Sequence, residues 1–162
     1  MLGNALIFPH IFYCLAVVQG VGSVLDGQLQ RMINRAVRFV TGLPRDASIS
    51  GPRRDLGWLT ISDYRMLAMG TLMYRVLGSG SPAYLAELFA AYTSTQPRRQ
   101  VQAQQALVVP SFRTECYRAA LAMAGPVIWN GIPVSIRDQS SPAAFKTNLR
   151  GWLMQRESQR AS

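Results

Sequence analysis

The sequence predicts a mainly α-helical fold: a small helical domain of about five helices with long loops and at most a short strand or hairpin. The chain has 162 residues, 49% of them hydrophobic, which is enough for one buried core. Apolar residues recur at spacings of three and four in several segments, and glycine and proline separate these segments. Only residues 107–110 (LVVP) resemble a strand, and Pro110 would confine that strand to a sheet edge.

The pattern divides the chain into four parts. Residues 1–25 are an apolar segment, and residues 26–92 contain a basic helix followed by buried helices. Residues 93–105 are polar and are expected to be a mobile loop. Residues 106–162 form a C-terminal helical part with an uncharged Pro-Trp-Asn-Pro corner.

The apolar segment has two interpretations. Residues 5–25 are long enough to cross a bilayer, and Arg31, the first of several arginines after them, has the position of a cytoplasmic flank. Pro9, His10 and Gln19 interrupt the run, and no basic region precedes it, so a secretory signal fits poorly. A buried element of a larger fold is the preferred interpretation, and a single membrane span is the alternative.

Residues 26–41 have the clearest helical period. The apolar residues of one face are Leu25, Leu29, Ile33, Ala36 and Val40. The opposite face carries Arg31, Arg35 and Arg38. Asp26 is the expected N-cap, and Gly42 followed by a proline is expected to end the helix. The arginine stripe favours an anionic partner, and an ordinary solvated face is the alternative reading.

The following segment, residues 42–58, is predicted to be a loop that carries Arg53 and Arg54. Residues 60–80 then predict a buried helix, because apolar residues occupy most of its circumference. Ser62 is the expected cap of this helix, and the Gly-Ser-Gly sequence at its end is expected to terminate it.

Two later segments, residues 81–92 and 141–156, both begin with Ser-Pro. In such a start, serine is the N-cap and proline is the first helical residue. The apolar residues that share one face of the second helix are Phe145, Leu149, Trp152 and Leu153. A further helix is predicted over residues 113–125, and the Gly-Pro pair that follows Ala124 is expected to end it.

The charge balance is strongly basic. Seventeen basic and eight acidic residues give a net charge of +9 and a pI near 10.6. Such an excess favours phosphate backbones or anionic membrane surfaces, and arginine in particular grips phosphate with two donors. The candidate nucleic-acid contacts are Arg31, Arg35, Arg38, Arg53, Arg54, Arg98 and Arg99. Ordinary surface charge is the alternative for each of them.

The residues that catalysis or metal binding requires are sparse. His10 is the single histidine, and Cys14 and Cys116 lie far apart, so a zinc finger cannot be assembled and a reduced, intracellular setting is expected. The carboxylates are scattered singly, and the sole lysine, Lys146, lies in the last predicted helix rather than in a phosphate-binding loop. The sequence therefore predicts no catalytic site, no metal and no cofactor in this chain.

Six short motifs occur in one order along the chain. They are LQRMINRAVR, LGWLTISDYR, SPAYLAEL, RTECYR, PVIWNGIP and SPAAFK. In this order and spacing the chain resembles the region downstream of the polymerase domain in non-LTR, jockey-like (LINE-type) retrotransposon reverse transcriptases. Ile132, where leucine is usual, and Cys116-Tyr117, where a glycine often stands, are mild departures.

The resemblance implies a C-terminal fragment of an RNA-directed DNA polymerase. Residues 1–25 would then be a remnant of the region that follows the polymerase domain, and Met1 would fall inside a longer reading frame. The implied role is an accessory module that holds the backbone of RNA or DNA beside the upstream polymerase domain, in the nucleus or the cytoplasm. A scaffold without a ligand and an inert product of a truncated element are the alternatives.

The uncharged stretch GPVIWNGIP contains four residues of the family pattern, namely Pro126, Trp129, Asn130 and Pro133. We expect them to be a structural anchor: Trp129 packs the preceding helix against the core, and the Asn130 side chain bonds turn backbone. Stacking of a nucleic-acid base on Trp129 is the alternative.

Overall fold

The computed structural model describes residues 9, 13, 15–16, 23–89, 106–111 and 120–160. This part of the chain is mainly helical and contains no strand, which confirms the predicted fold class. Its helices are α1 (Ser23–Thr41), α2 (Ser50–Asp55), α3 (Ile61–Ser79), α4 (Ala83–Ala86), α5 (Leu121–Asn130), α6 (Val134–Arg137) and α7 (Pro142–Arg160).

Helix α3 is the centre of the fold, and α1, α5 and α7 all pack against it. Its buried residues lie around most of its circumference, as the sequence predicts. The expected cap at Ser62 is wrong by two residues, because Thr60 caps the helix. The Thr60 Oγ1 accepts a hydrogen bond from the Asp63 N–H at 3.2 Å and donates one to Asp63 Oδ2 at 2.6 Å. At the other end Gly80 adopts φ 62°, a conformation that glycine favours.

Helix α7 begins as its Ser-Pro sequence predicts. The Ser141 hydroxyl accepts a hydrogen bond from the Ala144 N–H at 3.2 Å. Three residues of its predicted apolar face, Phe145, Leu149 and Leu153, are fully buried. The fourth, Trp152, is half-buried.

The Ser-Pro sequence at residues 81 and 82 does not form the predicted helix start. Pro82 is extended there and precedes the helix, so Ser81 lies one residue too early to cap it. The backbone N–H of Ser81 instead bonds to the Ser79 hydroxyl at 3.2 Å. Helix α4 is a single turn within the predicted residues 81–92, of which residues 90–92 lie outside the described part.

Helix α5 corrects the prediction that the chain turns at Gly125-Pro126. The helix runs through both residues to Asn130, although an internal proline removes a backbone hydrogen bond and costs about 3 kcal/mol. Packing offsets this cost, because Pro126 is fully buried and Gly125 lies against Met73 of α3. A methyl group at Gly125 would come within 2.8 Å of the Met73 sulfur.

The region between α1 and α3 is not only a loop. Residues 50–55 form α2, so the predicted loop over residues 42–58 is wrong at this point, and Arg53 and Arg54 belong to a helix. The LVVP segment contains one bridge residue, Leu107, without a strand.

Helix α1 begins earlier than predicted, at Ser23, so Asp26 lies in its first turn rather than at its cap. Its inward face carries Ile33, Ala36 and Val37, whereas Leu25 and Val40 of the predicted face are exposed. The buried face is therefore rotated slightly from the predicted one.

Much of the predicted N-terminal segment and the predicted loop over residues 93–105 lie outside the described residues. Within residues 1–25, Leu15 is 4% exposed and belongs to the core. No helix in the described part of the chain combines the length and the apolar character that a membrane span requires.

The close packing of α3 and α7 predicts opposite effects at two glycines of α3. A methyl group at Gly70 would meet Leu149 Cδ2 at 2.9 Å and Ile132 Cδ1 at 3.0 Å, and both side chains are fully buried. Overpacking costs about 1–3 kcal/mol and outweighs a helix-propensity gain of up to about 1 kcal/mol, so Gly70→Ala should lower the free energy of unfolding by up to about 2 kcal/mol. Urea titration of the full chain followed by circular dichroism measures this change.

Gly78→Ala is the matched control, because a methyl group there meets no atom within 4 Å. This exposed substitution should leave the free energy of unfolding unchanged or raise it by up to about 1 kcal/mol. Equal effects of the two substitutions would contradict the close approach of α7 at Gly70.

Candidate nucleic-acid interface

Four arginines and one asparagine line a depression of about 540 Å³ on the outer side of α1. We call this set the arginine surface; it consists of Arg31, Asn34, Arg35, Arg38 and Arg45. The three arginines predicted from the helical period are thus brought together. Arg45 was not predicted as a member.

The position of Arg45 follows from the way α1 ends. The Leu43 N–H bonds to the Arg38 carbonyl oxygen at 3.2 Å, and Gly42 adopts φ 67°. This is a Schellman ending, in which a left-handed glycine reverses the chain over the last helical turn. The reversal brings Arg45 back beside the arginines of the helix. The sequence signal for this position is a basic residue, Arg45, shortly after the predicted helix end at Gly42.

Two side-chain hydrogen bonds connect the arginine surface to the start of α3. The Gln30 Oε1 accepts a hydrogen bond from the Ile61 N–H, at the start of α3, at 2.8 Å. The Gln30 Nε2 donates to Asn34 Oδ1 at 2.9 Å. Gln30 therefore satisfies a free backbone donor of α3 and also orients Asn34, which lies in the arginine surface.

The arginine surface carries positive charge that the described acidic residues do not neutralise. Among the described residues, none of its four arginines forms an ion pair with an acidic side chain. The Arg38 Nε is also buried without a hydrogen-bond partner in this part of the chain. Like charges held together without counterions repel one another, so an anion bound here lowers the electrostatic free energy.

The acidic residues that do pair with arginine serve the core instead. Asp26 of α1 pairs with the buried Arg65 of α3. Arg156 of α7 donates to the buried Asp63 of α3 at 2.8 Å. These pairs tie α1 and α7 to the central helix.

The remaining predicted contacts do not join the arginine surface. Arg53 is 6% exposed and its guanidinium pairs with Glu157 of α7, so its charge is committed to the fold. Arg54 is half-buried, and its Nε donates to the Ser50 carbonyl oxygen at 3.3 Å. Arg98 and Arg99 lie outside the described residues.

The side chains of the uncharged corner pack against the rest of the fold. Trp129 is 4% exposed, and its ring lies 6.0 Å from that of Phe145 with an interplanar angle of 25°. The Arg137 guanidinium carbon lies 5.9 Å from the Trp129 ring centre. Pro133 precedes α6, and its carbonyl oxygen accepts a hydrogen bond from the Ile136 N–H at 3.0 Å. The ring of Trp129 is thus almost entirely covered by protein.

Asn130 bonds backbone, but not that of its own turn. Its Nδ2 donates to the Leu107 carbonyl oxygen at 2.8 Å, and its Oδ1 accepts from the Leu107 N–H at 2.9 Å. The amide therefore pairs with one residue in the way a neighbouring strand would. This contact joins segments 23 residues apart, which a turn pattern does not reveal.

A cavity of about 400 Å³ lies beside this corner, lined in part by Tyr74, Leu107, Trp129 and Arg137. Burial lowers the pKa of the Arg137 guanidinium from its ordinary value. The residues described contain no group of three histidine, cysteine, aspartate or glutamate side chains that could hold a metal ion.

Comparison with known proteins gives no relative: no family model, no curated protein and no solved structure matches this chain.

An arginine paired within the fold and an arginine on the exposed face of α1 should differ in their effect on stability when substituted. Arg53→Met leaves Glu157, whose side chain is 15% exposed, without its partner and should lower the free energy of unfolding by about 2–4 kcal/mol. Arg35→Gln, on the exposed face of α1, should change it by less than about 0.5 kcal/mol. Urea titration of both variants compares them, and the double variant Arg53→Met/Glu157→Leu should recover most of the loss. A double variant no better than Arg53→Met would contradict the buried pair.

The Asn130 contact predicts a further difference between two asparagines. Asn130→Asp removes the donor to the Leu107 carbonyl oxygen and sets a carboxylate against it, so the free energy of unfolding should fall by about 0.5–1.5 kcal/mol at neutral pH. Asn148→Asp, on the exposed face of α7, is the isosteric control and should have little effect. Thermal or urea unfolding of the two variants is the measurement, and equal stabilities would show that the amide does not hold the segment.

Proposed function

We propose that this chain is an accessory module that binds the backbone of RNA or DNA, and that it belongs to the C-terminal region of a retrotransposon RNA-directed DNA polymerase. The catalytic domain of that polymerase lies outside this chain, and the module itself carries no catalytic site. One observation carries the binding role. Arg31, Arg35, Arg38 and Arg45 line a single depression, and none has an acidic partner among the described residues.

The spacing of these arginines matches a phosphate backbone. Arg38 follows Arg31 by seven residues, which corresponds to about 10.5 Å along the helix axis. Phosphates along one strand of a duplex are about 3.4 Å apart along the axis, so this length spans about three of them. Guanidinium groups reach phosphate oxygens with two parallel donors, and Arg45 adds a fourth guanidinium beside the three on the helix.

The parent enzyme is proposed from the order of the six sequence motifs. A polymerase that copies RNA into DNA must hold long polyanions near its catalytic domain, and a basic helical module beside that domain supplies such a contact.

The salt dependence of binding tests the proposal quantitatively. Four phosphate contacts predict a slope of log K against log salt of about −2.8 for a single strand and about −3.6 for a duplex. Affinity for a single strand should thus fall roughly 50-fold between 50 and 200 mM salt. Fluorescence anisotropy with a labelled 20-nucleotide RNA and the full chain measures it.

A charge-matched pair of variants locates the site. Arg31→Gln/Arg35→Gln should reduce the slope on a single strand to about −1.4. Arg75→Gln/Lys146→Gln removes the same charge from an exposed surface elsewhere on α3 and α7 and should leave the slope nearly unchanged. If both variants weaken binding equally, the basic charge acts diffusely and the proposed site is wrong.

A scaffold that packs on the polymerase is the second candidate. Exposed apolar side chains favour it, among them Val24, Tyr84 and Val127. Under this alternative, wild-type affinity for RNA is weak and changes little with salt, and the arginine variants bind as the wild type does.

A further inference from the structure

Phe39 is the most exposed large hydrophobic residue among those described, with 84% of its surface accessible. The other face of α1 supplies the core through Ile33 and Val37, so folding does not require an aromatic side chain at position 39. Exposure forgoes the stabilisation that burial of a phenylalanine side chain provides. An exposed aromatic ring beside basic side chains offers a face on which a base can stack.

The position of Phe39 places its ring at the border of the arginine surface. Phe39 follows Arg35 by four residues, and residues four apart are neighbours on a helix face. Met32 precedes Phe39 by seven residues, or about two helical turns. It is also exposed and lies on the same side of α1. The arginines of α1 thus lie beside the exposed side chains of Met32 and Phe39.

This combination fits a single strand better than a duplex. In a duplex the bases are stacked inside the helix, and the ring would reach them only by unstacking neighbouring base pairs, which is energetically costly. In a single strand each base has an exposed face, while the phosphates run along one side of it. The arginines and the exposed apolar side chains of α1 match these two sides of a single strand.

We propose that α1 binds a single-stranded segment of nucleic acid, with its phosphates on the arginine surface and a base stacked on Phe39. This inference rests on the proposed function and narrows it to one class of ligand. The ring makes no use of the 2′-hydroxyl, so single-stranded RNA and single-stranded DNA of the same sequence bind with similar affinity.

Removing the ring tests the stacking contact. Phe39→Ala should weaken binding of a 12-nucleotide single strand by about 5- to 150-fold, with the salt slope unchanged. Phe39→Trp and Phe39→Tyr keep a stacking face and should bind within a few-fold of the wild type. Tyr84→Ala, at an exposed aromatic residue of α4, is the matched control and should leave the affinity unchanged.

Three ligands separate stacking from other effects. A strand of the same length without bases should bind wild type and Phe39→Ala equally, and so should a duplex. If Phe39→Ala weakens binding of the abasic strand and the duplex as strongly as that of the intact strand, the ring does not stack on bases and the inference is wrong.

The arginine variants keep this inference distinguishable from the proposed function. If Arg31→Gln/Arg35→Gln lowers the salt slope while Phe39→Ala has no effect, the backbone site stands and the stacking contact fails. If neither variant changes binding, both fail. If sedimentation shows that the wild type self-associates and Phe39→Ala does not, with strand affinity unchanged, the exposed apolar side chains form a protein contact and the inference is overturned.

Discussion

The burial of α3 on almost every side is the constraint on which the rest of the structure depends. A helix of this kind cannot fold alone, because its apolar circumference must be covered from several directions. Helices α1, α5 and α7 provide that cover. Gly70 lets the side chains of Leu149 and Ile132 approach the backbone of α3 closely, so α7 packs tightly against α3 at this point.

The buried charges of α3 determine which acidic and basic side chains form ion pairs with it. Asp63 and Arg65 are buried on α3, and a buried charge requires an opposite charge close by. Arg156 and Asp26 supply those partners, and Glu157 pairs with Arg53 on a neighbouring helix. In the part of the chain that the structure describes, three acidic side chains are therefore used to join helices rather than to neutralise the surface. The positive charge left on the outside of α1 follows from this distribution.

The sequence predicts the helices well where packing and local signals agree. The period of Phe145, Leu149 and Leu153 specifies the buried face of α7, and Ser141 caps it as expected. Prediction fails where tertiary contacts outweigh local preference. The burial of Pro126 keeps α5 continuous across a residue that normally ends a helix.

The same limit applies to the candidate site. Helical period alone groups Arg31, Arg35 and Arg38, because neighbours on a helix face are fixed by spacing. The ion pair of Arg53 joins residues 104 positions apart, and the return of Arg45 depends on a backbone reversal, so neither is contained in a periodic pattern. Folding uses only the inward face of α1. The core does not require the arginines or the exposed Phe39 ring of α1. Among the described residues, their adjacency is therefore the observation that most favours a binding role.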